Sequence, residues 1–268
     1  PAGGWRRCGC GSVISMIVPL SLPPAYDVVA FNSIDSTNDE AKRRAEEGAP
    51  AGTLIWSREQ TKGRGRRGRD WKSPPGNLYL SLILRPDRSV GEAAQLSFVA
   101  TVALADAIAG TSGLSAEIAH KWPNDVLLRG RKCAGILLES SLCDDHRLDW
   151  LVMGVGVNLA KHPERTEFPA TDLVAEGGDT VAVEVMLEAF ASHFLRWQKV
   201  WLDAGFAPVR DAWLARALGL GKLLLVRIGE ESFAATFLDL AKDGALLAQL
   251  ADGRVRRVEA GEVFPAVA

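Results

Sequence analysis

Short apolar, β-branched runs and longer helical stripes take turns along this chain. Tyr26–Phe31 reads as a strand. Thr37, with Glu40 three residues on, reads as a capping box opening a helix that Gly48 ends. GTLIWSREQ, from Gly52, is a second strand, and NLYLSLILRP, from Asn77, is a third. GEAAQLSFVATVALADAIAG, from Gly91, has helix-forming composition and an apolar stripe wide enough to be buried. AEIAHKWPNDVLLRGRKCAGILLES, from Ala116, reads as three strands, with turns at Pro123-Asn124-Asp125 and Arg129-Gly130-Arg131. LDWLVMGVGVNLA, from Leu148, is a further strand interrupted by small residues, and Lys161 to Thr180 is loop-like. An amphipathic helix runs from Val183 to Gly205, and a shorter one holds VRDAWLARA, from Val209. Beyond Gly219 the rhythm tightens. KLLLVRI, SFAATFLDL, ALLAQLA and RVRRVEA are short strands split by GEE, KDG and ADG turns, a pattern that predicts a small β-barrel. The expected organisation is a leader over 1–25, a mixed α/β domain over 26–218 and a barrel domain over 219–268.

Composition narrows the class. With 268 residues, 47% hydrophobic, 24% charged and a net charge of −2, the chain can bury a sizeable core and is no polyanion binder as a whole. No uninterrupted apolar run reaches the ~18 residues that a membrane span needs, so no membrane partner is expected. SVISMIVPLSLPP could pass for a signal-peptide core, but Pro19 breaks it and no clear cleavage site follows. Residues 1–15 are read as upstream-frame sequence, because Met16 stands just before the orderly part. The four cysteines, Cys8, Cys10, Cys133 and Cys143, have neither disulfide-framework nor zinc spacing, which points to a cytoplasmic protein.

Local charge changes the picture. GRGRRGRDW, Gly63 to Trp71, sets four arginines among three glycines within nine residues. Gly63-x-Gly65-x-x-Gly68 matches a dinucleotide fingerprint, but that motif must open a helix, and Pro74-Pro75 follows here. No phosphate-loop motif GxxxxGK[ST] exists. The physical account is a flexible loop: glycines let backbone close over a ligand, and arginine forks suit phosphate oxygens. KWPND (121–125) and GRKCAGILLE (130–139) place Lys121, Asn124, Asp125 and Lys132 around one hairpin. Adenylyl chemistry needs such cations around transferring oxygens. Singly, each of these has a plain structural reading as a turn residue or a solvated lysine.

DSTNDEAK, GRGRRGRDWKSPPGNLYLSL, KWPNDVLL, GRKCAGILLE and GVGVN, in this order, resemble the biotin–protein ligase family from about Asp27 to the C-terminus. The resemblance implies an α/β (α+β) fold: a class-II aminoacyl-tRNA-synthetase-like catalytic domain with a small SH3-like C-terminal barrel. It implies ATP-dependent adenylation of biotin to biotinyl-5′-AMP, then transfer to a lysine of a biotin carboxyl carrier protein. ATP and Mg²⁺ are the implied co-substrate and activator. Ser36, Thr37, Asn38, Gln60, Arg64, Gly65, Arg66 and Lys132 match the family's biotin-contacting positions. Arg64, Arg66, Trp71, Lys121, Asn124 and Asn158 match its nucleotide positions, with Trp71 stacking on adenine. Lys121, Arg66 and Lys132 carry the catalytic charge stabilisation, and Asp125 is the implied Mg²⁺ ligand. Too little sequence precedes Tyr26 for a winged helix, so no DNA binding is expected; a monomer or weak homodimer is. A lipoate or octanoate ligase of the same fold and an RNA-binding module using the arginine-glycine run stand as alternatives.

Overall fold

The computed structural model describes residues 20–143 and 147–266; the upstream-frame reading of residues 1–15, with Cys8 and Cys10, lies outside the described residues. In chain order the elements are β1 (Asp27–Phe31), α1 (Thr37–Glu46), β2 (Thr53–Ser57), β3 (Leu78–Leu84), α2 (Val90–Ala93), α3 (Leu96–Ser112) and β4 (Ile118–Lys121). There follow β5 (Asp125–Leu128), β6 (Arg131–Leu142), β7 (Leu148–Val157), α4 (Val183–Ala204) and α5 (Ala207–Leu214). The chain ends in β8 (Leu223–Ile228), β9 (Glu231–Leu240), β10 (Leu246–Gln249), β11 (Val255–Val258) and β12 (Glu262–Pro265).

The first seven strands form one mixed sheet, ordered β1-β2-β3-β7-β6-β5-β4. Only β1 and β2 run parallel, and α1 crosses between them. The β5–β6 turn places Arg129 and Gly130 both at positive φ, the geometry of a twisted two-residue hairpin. Helix α1 covers one sheet face over Phe31, Ile34, Ala41, Ile83 and Val152. Helices α3, α4 and α5 cover the other.

Helix α3 is buried nearly all round, not along a stripe. Its hydroxyls survive burial by bonding four residues back, Thr101 to Ser97 O and Ser112 to Ile108 O, each at 2.7 Å. The stretch Val90–Ser112 is long and apolar enough on average to cross a membrane, although no uninterrupted run signals it. In the fold it is a core element, packed between sheet and α4.

The C-terminal strands form a second, antiparallel sheet ordered β11-β10-β9-β8-β12. These five strands are consistent with the expected SH3-like barrel, which is not closed here: β11 and β12 stand at opposite edges. Strand β12 was also missing from the sequence reading; four residues ending in Pro265 carry too little alternation to register. The two sheets share one core. Trp122 donates its indole N–H to Gly244 O at 3.0 Å, and Phe98 meets Phe206 and Trp213 edge-on. The linker at Arg216–Leu218 hydrogen-bonds along the outer edge of β4 through His120.

Candidate functional site

The α1 side of the sheet is left open beside the N-terminus of α1, and a cavity of about 430 Å³ lies there. Its floor exists because β6 and β7 carry glycines. A Cβ on Gly154 would lie 2.1 Å from Asn38 Oδ1, and one on Gly156 would lie 2.6 Å from the Trp71 ring. Strand β7 is therefore continuous, and its small residues are clearances rather than interruptions. Every residue singled out in the sequence lines this cavity: Ser36, Thr37, Asn38, Gln60, Arg64, Gly65, Arg66, Trp71, Lys121, Asn124, Asp125, Lys132 and Asn158.

One end is neutral and polar. Ser36, extended at φ −154°, is the true N-cap of α1, and its hydroxyl accepts from the Asp39 N–H. The capping-box reading of Thr37 and Glu40 is thus corrected. Thr37 lies inside the helix, and its N–H donates to Gln60 Oε1 at 2.8 Å. Glu40 pairs with Arg43 and Arg44 instead.

The arginine-glycine run folds back on itself, with Trp71 N–H on Gly63 O at 2.9 Å and Gly65 N–H on Arg69 O at 2.7 Å. Gly63 is required, since a Cβ there would lie 2.4 Å from Ser73 Oγ. The arginines have intramolecular partners. Arg64 bonds Asp39 (2.7 Å) and Glu139 (3.0 Å). Arg66 donates to Asn124 Oδ1 at 3.0 Å and to Gly261 O at 3.3 Å. Arg69 pairs with Glu262. Burial pushes the Arg66 guanidinium down, against the pull of Asp125 and Glu262.

The other end is cationic. Asp125, buried, has Lys132 Nζ at 2.6 Å from one carboxylate oxygen and Lys121 Nζ at 3.5 Å from the other. Burial favours its neutral acid, but Lys132, Lys121 and Arg66 together outweigh burial and hold the carboxyl below its ordinary range. Burial pushes the Lys121 ammonium down, and Asp125 opposes the shift. That ammonium lies over Phe168 at 4.7 Å and over Phe264 at 5.3 Å, so the second sheet completes its surroundings. Lys132 is not at a solvated hairpin tip; it stands in β6, over the Trp71 ring at 5.3 Å. Asn158 donates to Thr171 O at 3.1 Å and anchors the 158–171 loop beside Lys132.

The expected Mg²⁺ ligand does not fit. Both Asp125 oxygens face lysine ammoniums, which repel a cation and attract an anion. Among the described residues no cluster of His, Cys, Asp or Glu is placed to hold a metal. The sequence reading also missed Glu139, Ser81, Ser73, Phe168, Glu262 and Phe264. Glu139 closes the quoted GRKCAGILLE motif, but nothing local marks it as facing Asn38. Ser73 and Ser81 likewise lie within the quoted run from Gly63 to Leu82 without a local mark of their role, and Phe168, Glu262 and Phe264 reach the site only through folding.

The chain belongs to the Biotin/lipoate A/B protein ligase family, which it matches over residues 70–215. Residues 220–264 match the Biotin protein ligase C terminal domain. Within the family it is 44% identical over 235 residues to the Biotin–[acetyl-CoA-carboxylase] ligase of Paracoccus denitrificans, covering 86% of this chain and 97% of that relative. It is 32% identical to the Bifunctional ligase/repressor BirA of Bacillus spizizenii, over 86% of this chain and 71% of that protein. The Aquifex aeolicus biotin protein ligase in complex with biotin and ATP superposes with TM-score 0.74 at 26% identity, covering 89% of this chain and 97% of that one.

Proposed function

We propose that this chain is a biotin–protein ligase. It binds biotin and ATP together in this cavity, joins them as biotinyl-5′-AMP with release of pyrophosphate, and passes biotin to a lysine of a biotin carboxyl carrier protein. The observation that carries this reading is the pairing of two unlike ends: a neutral hydrogen-bonding end at Ser36, Thr37, Asn38 and Gln60, and a cationic end at Lys121, Lys132 and Arg66. The first suits a ureido ring. The second suits a carboxylate attacking a phosphate.

The roles follow from position. Lys132 and Arg66 hold the carboxylate and α-phosphate oxygens as negative charge shifts toward pyrophosphate. Lys121 offsets charge deeper in the site. Asp125 keeps the lysines close without ligand, and an incoming anion takes its place as their partner. Trp71 offers a ring surface for adenine, and Asn124 fixes the Arg66 fork. Mg²⁺ enters this reading with ATP, as the ion that neutralises its phosphate charge. The folded arginine-glycine run excludes water from the mixed anhydride until the acceptor amine attacks its carbonyl and AMP leaves. Residues 26–218 form the catalytic unit and 219–268 its C-terminal cover, in a cytoplasmic enzyme.

A lipoate ligase is not favoured. A dithiolane cannot satisfy the polar end, and buried polar groups left unpaired reject such a ligand strongly. RNA binding is not favoured either, since Arg64, Arg66 and Arg69 are already engaged within the chain. ATP–pyrophosphate exchange with biotin or lipoate as sole acid tests the reading, followed by transfer to a purified carrier domain. Exchange dependent on biotin alone, then carrier labelling, is expected; exchange with lipoate alone overturns it.

A further inference from the structure

A chain of hydrogen bonds runs beneath the neutral end of the cavity, from a carboxylate on β6 to the arginine-glycine run. Asn38 Nδ2 donates to Glu139 Oε2 at 2.8 Å. Asn38 Oδ1 lies 2.5 Å from Ser81 Oγ, which lies 2.8 Å from Thr37 Oγ1. Thr37 Oγ1 lies 3.0 Å from Gln60 Oε1. Gln60 Nε2 donates to Ser73 Oγ at 2.9 Å, and that hydroxyl donates to Trp71 O at 2.9 Å. Ser81, Thr37, Asn38 and Ser73 are all buried.

The protons in this chain can be counted. Three contacts (Asn38–Ser81, Ser81–Thr37 and Thr37–Gln60) share the two hydroxyl protons of Ser81 and Thr37. Glu139 is an ionised acceptor with Lys42 at 3.0 Å and Arg64 at 3.0 Å, so it requires the Asn38 amide to turn its N–H₂ outward. That leaves Asn38 Oδ1 as an acceptor toward Ser81. Ser81 spends its proton there, and one of the other two contacts has none. One acceptor lone pair on the wall, at Gln60 Oε1 or at Thr37, is therefore left over for a donor from outside. Were the Asn38 amide reversed, its N–H₂ would supply Ser81, Ser81 would supply Thr37, and Thr37 would supply Gln60. Gln60 Oε1, which already accepts the Thr37 N–H, would then have both lone pairs filled and could not take a donor from a ligand.

We infer that Glu139 is a positioning residue for substrate selection: by fixing the Asn38 amide it keeps the Ser81–Thr37–Gln60 chain one proton short, so that the wall selects an acid carrying N–H donors. The acid chemistry rests on the ligase reading above, whereas the role of Glu139 does not follow from that reading. Glu139 need not touch the substrate. Its charge is not the main support of its neighbours, because Asp39 also pairs with Arg64 at 2.7 Å and with Lys42 at 2.9 Å.

Glu139→Gln tests this, since glutamine can donate as well as accept and lets the Asn38 amide reverse. The expected result in biotin-dependent exchange is a biotin KM raised about tenfold, the loss of roughly one hydrogen bond's worth of selectivity. The KM for ATP and kcat should change less than about twofold, and the thermal midpoint should hold, because the closed chain is fully bonded. Ser81→Ala should raise the biotin KM too, and the double variant should add little, because both act through one chain. Glu139→Asp, still acceptor-only, should restore much of the affinity lost in Glu139→Gln. An unchanged biotin KM in folded Glu139→Gln overturns the inference. So does a lowered midpoint with biotin and ATP KM rising together, which is the mark of a merely structural carboxylate. A wild-type protein that neither binds biotin in calorimetry nor exchanges would overturn the ligase reading first, and this inference with it.

Discussion

Lys132 and Asp125 show how one contact serves both stability and chemistry. At 2.6 Å the lysine neutralises a buried carboxylate whose other cations are Lys121, at 3.5 Å, and Arg66. Lys132→Met should therefore lower exchange on the order of 10²-fold, and it should also lower the thermal midpoint, because a buried charge loses its partner. Adding Asp125→Asn should return most of the midpoint and none of the rate. Calorimetry and exchange on the two variants separate the effects; full recovery of rate would remove Lys132 from the chemistry. Gly156 is the second informative residue. A methyl group there would meet the Trp71 indole at 2.6 Å. Gly156→Ala should displace that ring and raise the KM for ATP by about tenfold or more, with biotin binding in calorimetry little altered. An unchanged ATP KM would mean that Trp71 carries no nucleotide contact.

At the scale of elements, the arginine-glycine run is held from outside as much as from within. Its like charges would repel, but Asp39 and Glu139 face Arg64 across α1 and β6, and Glu262 faces Arg69 from β12. Arg66 reaches the backbone of Gly261, just ahead of β12. The second sheet is thus a clamp on the run. Glu262→Ala should speed tryptic cleavage within 64–69 several-fold in the ligand-free protein, since unpaired cations on a glycine-rich segment favour open states. Biotin with ATP should slow cleavage in both proteins. Equal cleavage rates for variant and wild type would show that β12 does not restrain the run.

For the whole molecule, His120 sits where the first sheet, α5 and the linker to the second sheet meet. Its Nδ1 donates to Trp213 O at 3.0 Å, and its Nε2 is buried with no partner among the described residues. Burial pushes its pKa down to about 4. The unfolded chain regains the ordinary value of about 6.5 and binds the proton first as pH falls. The stability that neutral His120 allows is complete above about pH 6.5 and drains toward pH 4, by about 3 kcal/mol in all. His120→Phe should flatten that part of the acid-unfolding curve, read as urea midpoints at pH 7 and pH 4.5. Parallel losses in wild type and variant would place the acid sensitivity elsewhere.

What the sequence determined by itself was whatever is local. Period-two and period-3.6 patterns placed most strands and helices, and the tight hairpin at Arg129-Gly130 followed from turn chemistry. The runs around Gly63, Lys121 and Lys132 stand out by composition, and the family resemblance added Ser36, Thr37, Asn38, Gln60 and Asn158; all of these are among the residues lining the cavity. Tertiary structure decided what depends on opposition across space. Ser36 replaced Thr37 as the cap because Ser36 is extended and its hydroxyl accepts the Asp39 N–H, while Gln60, 23 residues on, takes the Thr37 N–H. Asp125 changed from a metal ligand into the shared counter-ion of two lysines only when β4 and β6 were set beside β5. Glu139, 101 residues from Asn38, meets it because β6 lies under the start of α1. Hydrogen-bond direction and charge balance are properties of pairs, and in this chain the deciding pairs are closed by the sheet.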